Sequence, residues 1–376
     1  MRVAHVITGL KIGGAEMMLS RLVREHKKIG IESIVFSLDS DGELKSVIQQ
    51  LGIEVVDLRF SRNRLNLLGI WRLRNAIKEW NPDLIQCWMY HANLFGLISS
   101  KFAGNFPVLW NIRNSTLDSK TSSSITIFIM RVGAFLSSIP EKIITCSKIA
   151  QQVHVEIGYR ESNFELVHNG FDTDVFAPDI HWRTEIRNTI NVKEDEKVIG
   201  IIGRYDPQKD YSTFLHAVKI LGNHSSMIHC ILCGSSVDDQ NAELMKLIEL
   251  FGIQKQVHLL GYRADIKHIH QSLDILVSSS AYGEAFPNVI AEAMACGVPC
   301  VATDVGDSRF LIGDTGKVVP PRDPMALAQA IEDMLSLPQE DFKHLQAAAR
   351  QRIVEHFSLP EIAKRYKKVY EGVINK

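Results

Sequence analysis

Glu284 and Glu292 stand with seven residues between them in "SSSAYGEAFPNVIAEAMACGVPCVAT", residues 278–303. Two carboxylates so spaced can accept hydrogen bonds from two sets of neutral hydroxyls, one from a loop and one from the helix that follows it. "DILVSSS" reads as a buried strand, Ala281 to Ala285 as a turn, and Pro287 suits the first turn of a helix that Gly297 closes. Glu284 therefore falls at the carboxyl end of a strand. Glu292, four residues after Asn288, faces the same way a turn further in. The N–H groups between Phe286 and Val289 point in that direction too. A single glutamate early in a helix would only steady the helix dipole. The pair, beside N–H donors, is an arrangement for a ligand with hydroxyls at both ends and negative charge between.

The second set of candidates is cationic. "GIIGRYDPQKDY" places Arg204 and Lys209 on either side of a Tyr-Asp-Pro turn after a strand, with a helix expected to start near Pro207. A helix N-terminus is already positive and prefers carboxylates. Two cations there suggest that a strong anion, such as a diphosphate, arrives to neutralise them. A third feature, "TGLKIGGAE", is a glycine-rich strand-to-helix turn of the kind that attracts anions. Gly9, Gly13 and Gly14 do not space as G-x-G-x-x-G, and no Lys-Ser or Lys-Thr pair completes a P-loop. A nucleoside diphosphate joined to a sugar has both the hydroxyls and the phosphates these residues call for.

These residues need strands to carry them. The runs RVAHVIT, ESIVFSL, EVVDL, DLIQCW, PVLWNIR, KIITCS and FELVHN alternate with helical patterns, which argues for a parallel sheet covered on both faces. From residue 197 the grammar repeats in KVIGIIGR, MIHCILCG, VHLLG, DILVSSS and PCVAT. A chain of 376 residues suits two domains. The polar stretch between the halves places the boundary near residue 175, giving an N-terminal domain over 1–175 and a C-terminal one over 176–376. The fold class is α/β, with two doubly wound Rossmann-like domains facing a central cleft, where ligands sit at the carboxyl ends of the strands. The last helix, with Ile362, Tyr366, Val369, Tyr370 and Val373 at helical spacing, is expected to return to the N-terminal domain.

With 42 basic residues against 43 acidic ones, nothing draws the chain as a whole to nucleic acid. Six cysteines and no signal peptide suit a reducing cytosol. The Cys230-x-x-Cys233 pair lies in an apparent buried strand, where positions three apart face opposite ways. "DSD" at 39–41 and "DTD" at 172–174 fall outside the expected site, so no metal is assigned.

"EAFPNVIAEAMACGVPCVATDVG", with "GRYDPQKDY", "GGAE", "HNGFDTDVF" and "GKVVPPRDP", resembles the retaining glycosyltransferases of the GT-B fold called family four, over nearly the whole chain. The resemblance implies metal-independent, cofactor-free transfer from a nucleotide-activated sugar. It implies that Glu284 contacts the donor sugar, Glu292 binds the ribose hydroxyls, and Arg204 with Lys209 holds the diphosphate. Backbone groups of Phe286, Pro287, Asn288 and Val289 match the phosphate cradle, and Gly13 with Gly14 the loop that closes over it. Gly261, Tyr262 and Arg263 fall where the nucleobase sits. One departure stands out: Arg113, in "PVLWNIRNS", occupies the place of a histidine that many relatives carry near the transferred sugar. An arginine cannot act as a base near neutral pH, so its role there is electrostatic or the sugar is bound differently. The family route is a front-face attack in which the leaving phosphate takes the acceptor proton.

The acceptor expected from this reading is a glycan or lipid-linked glycan of bacterial surface polysaccharide. Residues 59–78, basic residues interleaved with leucines and Trp71, could touch anionic lipid, so the protein is expected in the cytoplasm at the inner face of the membrane. "SSSITIFIMRVGAFLSS" is too short to span a bilayer and reads as a core or interface helix. His91, at the start of a helix, could line the acceptor side. The rival functions are a synthase acting on a soluble sugar phosphate and, because of Arg113, a silent sugar-nucleotide-binding protein.

Overall fold

The computed structural model describes residues 1–60, 67–115, 123–222 and 228–375. They fall into two compact units, one of Met1–Gly170 with Leu359–Lys376 and one of Phe171–Ser358. The change of unit therefore lies at Gly170 rather than near residue 175, and the segment from Leu359 on packs within the first unit.

The first unit runs β1 (Arg2–Ile7), α1 (Gly14–Lys28), β2 (Glu32–Ser37), α2 (Leu44–Gln50), β3 (Glu54–Asp57), α3 (Leu67–Trp80) and β4 (Leu84–Trp88). It continues through α4 (Met89–Ala103), β5 (Val108–Ile112), α5 (Ser124–Leu136), β6 (Lys142–Thr145), α6 (Lys148–Glu156) and β7 (Phe164–Leu166). All strands are parallel, in the order β3-β2-β1-β4-β5-β6-β7. The apolar runs of β4 and β5 are buried throughout, as the interior of a two-sided sheet requires. The second unit contains α7 (Ile180–Thr189), β8 (Lys197–Ile202), α8 (Tyr211–Gly222), β9 (Ile228–Cys233), α9 (Ala242–Phe251), β10 (Val257–Leu259) and α10 (Ile266–Ser272). Then come β11 (Ile275–Ser278), α11 (Asn288–Ala295), β12 (Cys300–Thr303), α12 (Ser308–Ile312), β13 (Gly316–Val319), α13 (Pro324–Leu335) and α14 (Gln339–Phe357). Its parallel sheet is ordered β10-β9-β8-β11-β12-β13. The edge strand β13 is one more than the five runs read from the sequence, because "GKVV" is too short and too polar at its start to show alternation.

In both sheets the first strand lies between the second and the fourth, so the loops leaving β1 and β4, and those leaving β8 and β11, diverge and open a crevice. The helix α15 (Leu359–Ile374) covers the first sheet beside α1, burying Ile362, Tyr366, Tyr370 and Val373. Beneath it the centre of the sheet is polar. His5, Gln86 and Asn111 are fully buried there. Tyr370 Oη donates to Gln86 Oε1, Asn111 Nδ2 donates to Tyr366 Oη at 3.0 Å, and Trp88 Nε1 donates to His5 Nδ1 at 3.2 Å. His26 of α1 stacks on His5 at 5.4 Å, and the Nε2 atoms of both histidines lack a partner. Such a seam fixes where α15 sits, since a shifted helix would strand these groups.

Burial pulls the His26 imidazole down to about 3 and that of His5 well below its ordinary value, with His26 adding to the shift on His5. The folded state thus holds both rings neutral while the unfolded chain protonates them near pH 6.5. Their contribution is complete above that pH and is lost as pH falls below it, toward about 3 for His26. Urea unfolding of the first unit at pH 5 should therefore show about 2 kcal/mol less stability than at pH 7 from His26 alone, with His5 acting in the same direction. His26→Leu should flatten that dependence.

Candidate active site

The crevice of the second sheet is flanked by the loops after β8 and β11, and these bring two of the expected residues into contact. Lys209 Nζ donates to Glu284 Oε1 at 2.6 Å, and Ser280 Oγ donates to the same oxygen at 2.7 Å. Both members of the ion pair are largely buried. The loops are stitched together around it: Ala281 N–H donates to Gln208 O at 2.8 Å, and Ser279 Oγ donates to Lys209 O at 2.8 Å. From the loop after β12, Asp307 N–H donates to Ala285 O at 3.0 Å. Gly306, at φ 63°, lies so close to the Glu284 carbonyl that a Cβ there would collide with it. One oxygen of Glu284 is thus saturated by protein donors while its partner is held in a fixed orientation.

The start of α8 differs from expectation. Pro207–Lys209 form a short 3₁₀ turn, and α8 begins at Tyr211 with Asp210, at φ 46°, accepting from the Thr213 N–H at 3.1 Å. Asp206 caps the 3₁₀ turn through Gln208 N–H and pairs with Arg204 Nε at 3.0 Å. Each of the two cations therefore already faces a carboxylate, and the exposed Arg204 is not joined to the Lys209–Glu284 pair by any contact seen among the described residues.

In α11, Pro287 takes the position before the first helical residue, Asn288, and Gly297, at φ 74°, follows its end. The Phe286 side chain turns inward, 6.3 Å from Phe171 and 5.5 Å from Phe357 between ring centres, and so anchors the backbone that leads into Asn288 and Val289. Glu292 Oε2 lies 3.9 Å from Nε2 of His270, which is fully buried on α10 with neither ring nitrogen hydrogen-bonded. Gly261, at φ 62°, is tied to the loop after β9, donating to Val237 O at 3.0 Å and accepting from Gly234 N–H at 2.8 Å. Tyr262 is exposed, and Arg263 makes a two-pronged pair with Asp265 at 2.7 and 2.6 Å. That pairing holds the Asp265 carboxyl down at about 2.

In the first unit Gly13 precedes α1 in an extended conformation and Gly14 is its first residue. The Glu16 carboxylate folds back against Gly13, where burial raises its pKa. Arg113, just after β5, donates from Nη1 to Asn169 Oδ1 and from Nη2 to Tyr366 Oη, with its guanidinium 5.2 Å from the centre of the Trp88 ring. The turn from β4 into α4 is strained: Met89 has φ 68°, a left-handed conformation that a methionine rarely takes. His91 follows it, half-buried, its pKa lowered by burial.

Ser279, Ser280 and His270 were not among the residues expected at the site. The serine triplet in "DILVSSS" was the only signal for the first two, and a buried strand accounts for it equally well.

Residues 12–175 match the family model described as Glycosyltransferase Family 4, and residues 183–352 the one described as Glycosyl transferases group 1. The chain is similar to the "Uncharacterized glycosyltransferase MJ1607" of Methanocaldococcus jannaschii, at 30% identity over 61% of this chain and 60% of that one. It is also similar to an N,N'-diacetylbacillosaminyl-diphospho-undecaprenol alpha-1,3-N-acetylgalactosaminyltransferase of Campylobacter jejuni, at 24% identity over 90% and 91% of the two chains. Among solved structures, Anabaena Alr3699/HepE in complex with UDP superposes with a TM-score of 0.86 at 23% identity, covering 99% of this chain and 100% of that one, a likeness of fold.

Proposed function

Since the chain belongs to the family 4, group 1 glycosyltransferases and has their GT-B fold, we propose that it moves a sugar from a nucleoside-diphosphate donor to a glycan or lipid-linked glycan acceptor, retaining the anomeric configuration. The observation that carries this reading is the Lys209–Glu284–Ser280 constellation at the crevice of the second sheet. Lys209 gives one N–H to Glu284 and keeps two for phosphate oxygens. Glu284 Oε1 is occupied, which leaves Oε2 for a sugar hydroxyl. Arg204, on an exposed side chain, exchanges Asp206 for the diphosphate, and the backbone from Phe286 to Val289 adds N–H donors. Glu292 accepts from the ribose, the loop of Gly261, Tyr262 and Arg263 borders the base, and Gly13 and Gly14 approach the phosphates. Arg113 contributes charge rather than proton transfer.

In this mechanism the anomeric C–O bond breaks with its electron pair passing to the diphosphate, whose growing charge Lys209 and Arg204 stabilise. The acceptor hydroxyl attacks from the same face and its proton passes to the departing phosphate oxygen. Isolation of a covalent glycosyl-enzyme would sink this route. The acceptor class is supported by the Campylobacter relative, whose name specifies a diphospho-undecaprenol acceptor. With an acceptor of that class the enzyme works in surface-polysaccharide assembly at the cytoplasmic face of a membrane. Among the described residues no helix is long and apolar enough to cross a bilayer.

The donor site is tested by thermal stability against UDP-, GDP- and ADP-sugars, the UDP-sugars first because the Anabaena structure holds UDP. One donor should raise the melting temperature, since it binds only the folded state. Glu292→Ala should weaken that donor about tenfold, or about 1.4 kcal/mol. A parent protein that responds to none of them would overturn the donor-site reading.

A further inference from the structure

The helix α5 is apolar on two faces. Ile129, Met130, Gly133 and Ala134 are buried against the sheet, as a core helix requires. The opposite face carries Ile125, Phe128, Arg131 and Phe135 at three- and four-residue steps, so that they form one stripe. Phe128 is 66% exposed and Phe135 86%. The sequence left a core or an interface helix open for this segment, and the structure buries one face and leaves the other exposed.

The neighbouring helices extend the pattern. α4 packs beside α5 and α3 beside α4 on the same side of the sheet. Leu67, Leu68 and Trp71 of α3 are exposed, and the Arg74 guanidinium lies 4.6 Å from the centre of the Trp71 ring. Of the expected contact segment 59–78, residues 61–66 lie outside the described residues. Across α3, α4 and α5 there are five cationic side chains against one carboxylate, Glu79. Exposed aromatic and aliphatic side chains among arginines and lysines, with a tryptophan included, are the composition of a surface that rests in a bilayer interface.

We propose that the outer face of α5, with the exposed residues of α3, docks on an anionic lipid bilayer, Phe128 and Phe135 entering the acyl boundary while Arg131 and the cations of α3 meet the headgroups. Charge selects this occupant over a second copy of the chain. In a two-fold dimer the same patch meets itself, and cations would face cations. An anionic surface meets them with the opposite sign. The inference goes beyond the donor-site reading and does not depend on it, because binding to a bilayer needs neither donor nor acceptor.

The test is flotation of the full chain with phosphatidylglycerol-containing vesicles and with pure phosphatidylcholine vesicles, for the parent and for Phe128→Ser/Phe135→Ser. The parent should float with the anionic vesicles and be released by salt, while the double variant should bind at least tenfold less at an unchanged melting temperature. Both side chains are exposed, so the variant is expected to fold. Equal flotation of parent and variant, or no flotation of the parent at low salt, overturns the proposal. So does a parent dimer in sedimentation velocity that the double variant dissolves, which would make the face an interface between copies.

Discussion

Lys209→Ala is expected to lower kcat for sugar transfer by two to three orders of magnitude, about 3–4 kcal/mol of transition-state stabilisation, while the protein stays folded. The magnitude is that of removing one preorganised donor from a developing negative charge. The direction follows from the position of Nζ, 2.6 Å from Glu284 and in the loop that leaves β8 at the sheet's crevice. The substitution also strips Glu284 of its cation and leaves Ser280 as its remaining protein donor at Oε1. Glu284→Gln should therefore be severe as well, and the double variant should be little worse than Lys209→Ala, because the pair acts as a unit. The measurement is the initial rate of nucleoside diphosphate release with donor saturating and acceptor present. A Lys209→Ala enzyme within threefold of the parent would remove this lysine from the mechanism.

The second large effect concerns stability and lies away from the crevice. Asp274, just before β11, accepts from Arg183 Nη2 at 2.5 Å, from Arg187 Nη2 at 2.7 Å and from the Val198 N–H at 2.7 Å. Burial by itself would raise its pKa, but the two guanidiniums outweigh that and hold it below the ordinary aspartate value. Its stabilising contribution is therefore present above pH 4 or so and fades as pH falls below that. Asp274→Ala leaves the buried Arg187 without its counter-charge, which typically costs about 3–5 kcal/mol. In a unit of this size the melting temperature should drop by roughly 10 °C. Adding Arg187→Met should recover part of the loss, since a buried charge left alone costs more than an apolar replacement. Calorimetry of the single and double variants decides it: a drop of less than about 2 °C for Asp274→Ala would mean that water reaches the arginines in the folded state.

Much of this architecture is legible in the chain because parallel strands buried on both faces leave an unmistakable pattern of short apolar runs. The same pattern puts Lys209 and Glu284 at strand ends, although it does not say that residues so far apart in the chain touch. That contact depends on strand order, which sets β8 beside β11. The serines that complete it look like the tail of an ordinary strand. The two cations near Pro207 suggested bare positive charge, and the structure supplies Asp206 and Glu284 as partners because it folds the turn tighter than a helix would. Periodicity also shows that α15 has a buried face, and its expected return to the first unit is what the structure has, although the spacing of its apolar residues alone does not say which sheet it covers. The decision rests on His5, Gln86 and Asn111, polar residues in otherwise apolar strands whose purpose appears only once Tyr366 and Tyr370 are set over them.

The course of the chain has a consequence for its synthesis. The passage out of the first unit at Gly170 and the return at Leu359 run side by side, with Phe171 bridged to Ser358 and Phe171 N–H donating to Phe357 O at 2.8 Å. On the ribosome, all of Phe171–Ser358 must therefore be made before α15 is available to cover the polar face of the first sheet. The second unit can reach its native state first, while the earlier-made sheet waits with His5, Gln86 and Asn111 open to water. Translational pauses within the second unit should prolong that exposed intermediate, and chaperone capture of nascent chains should persist until α15 has emerged.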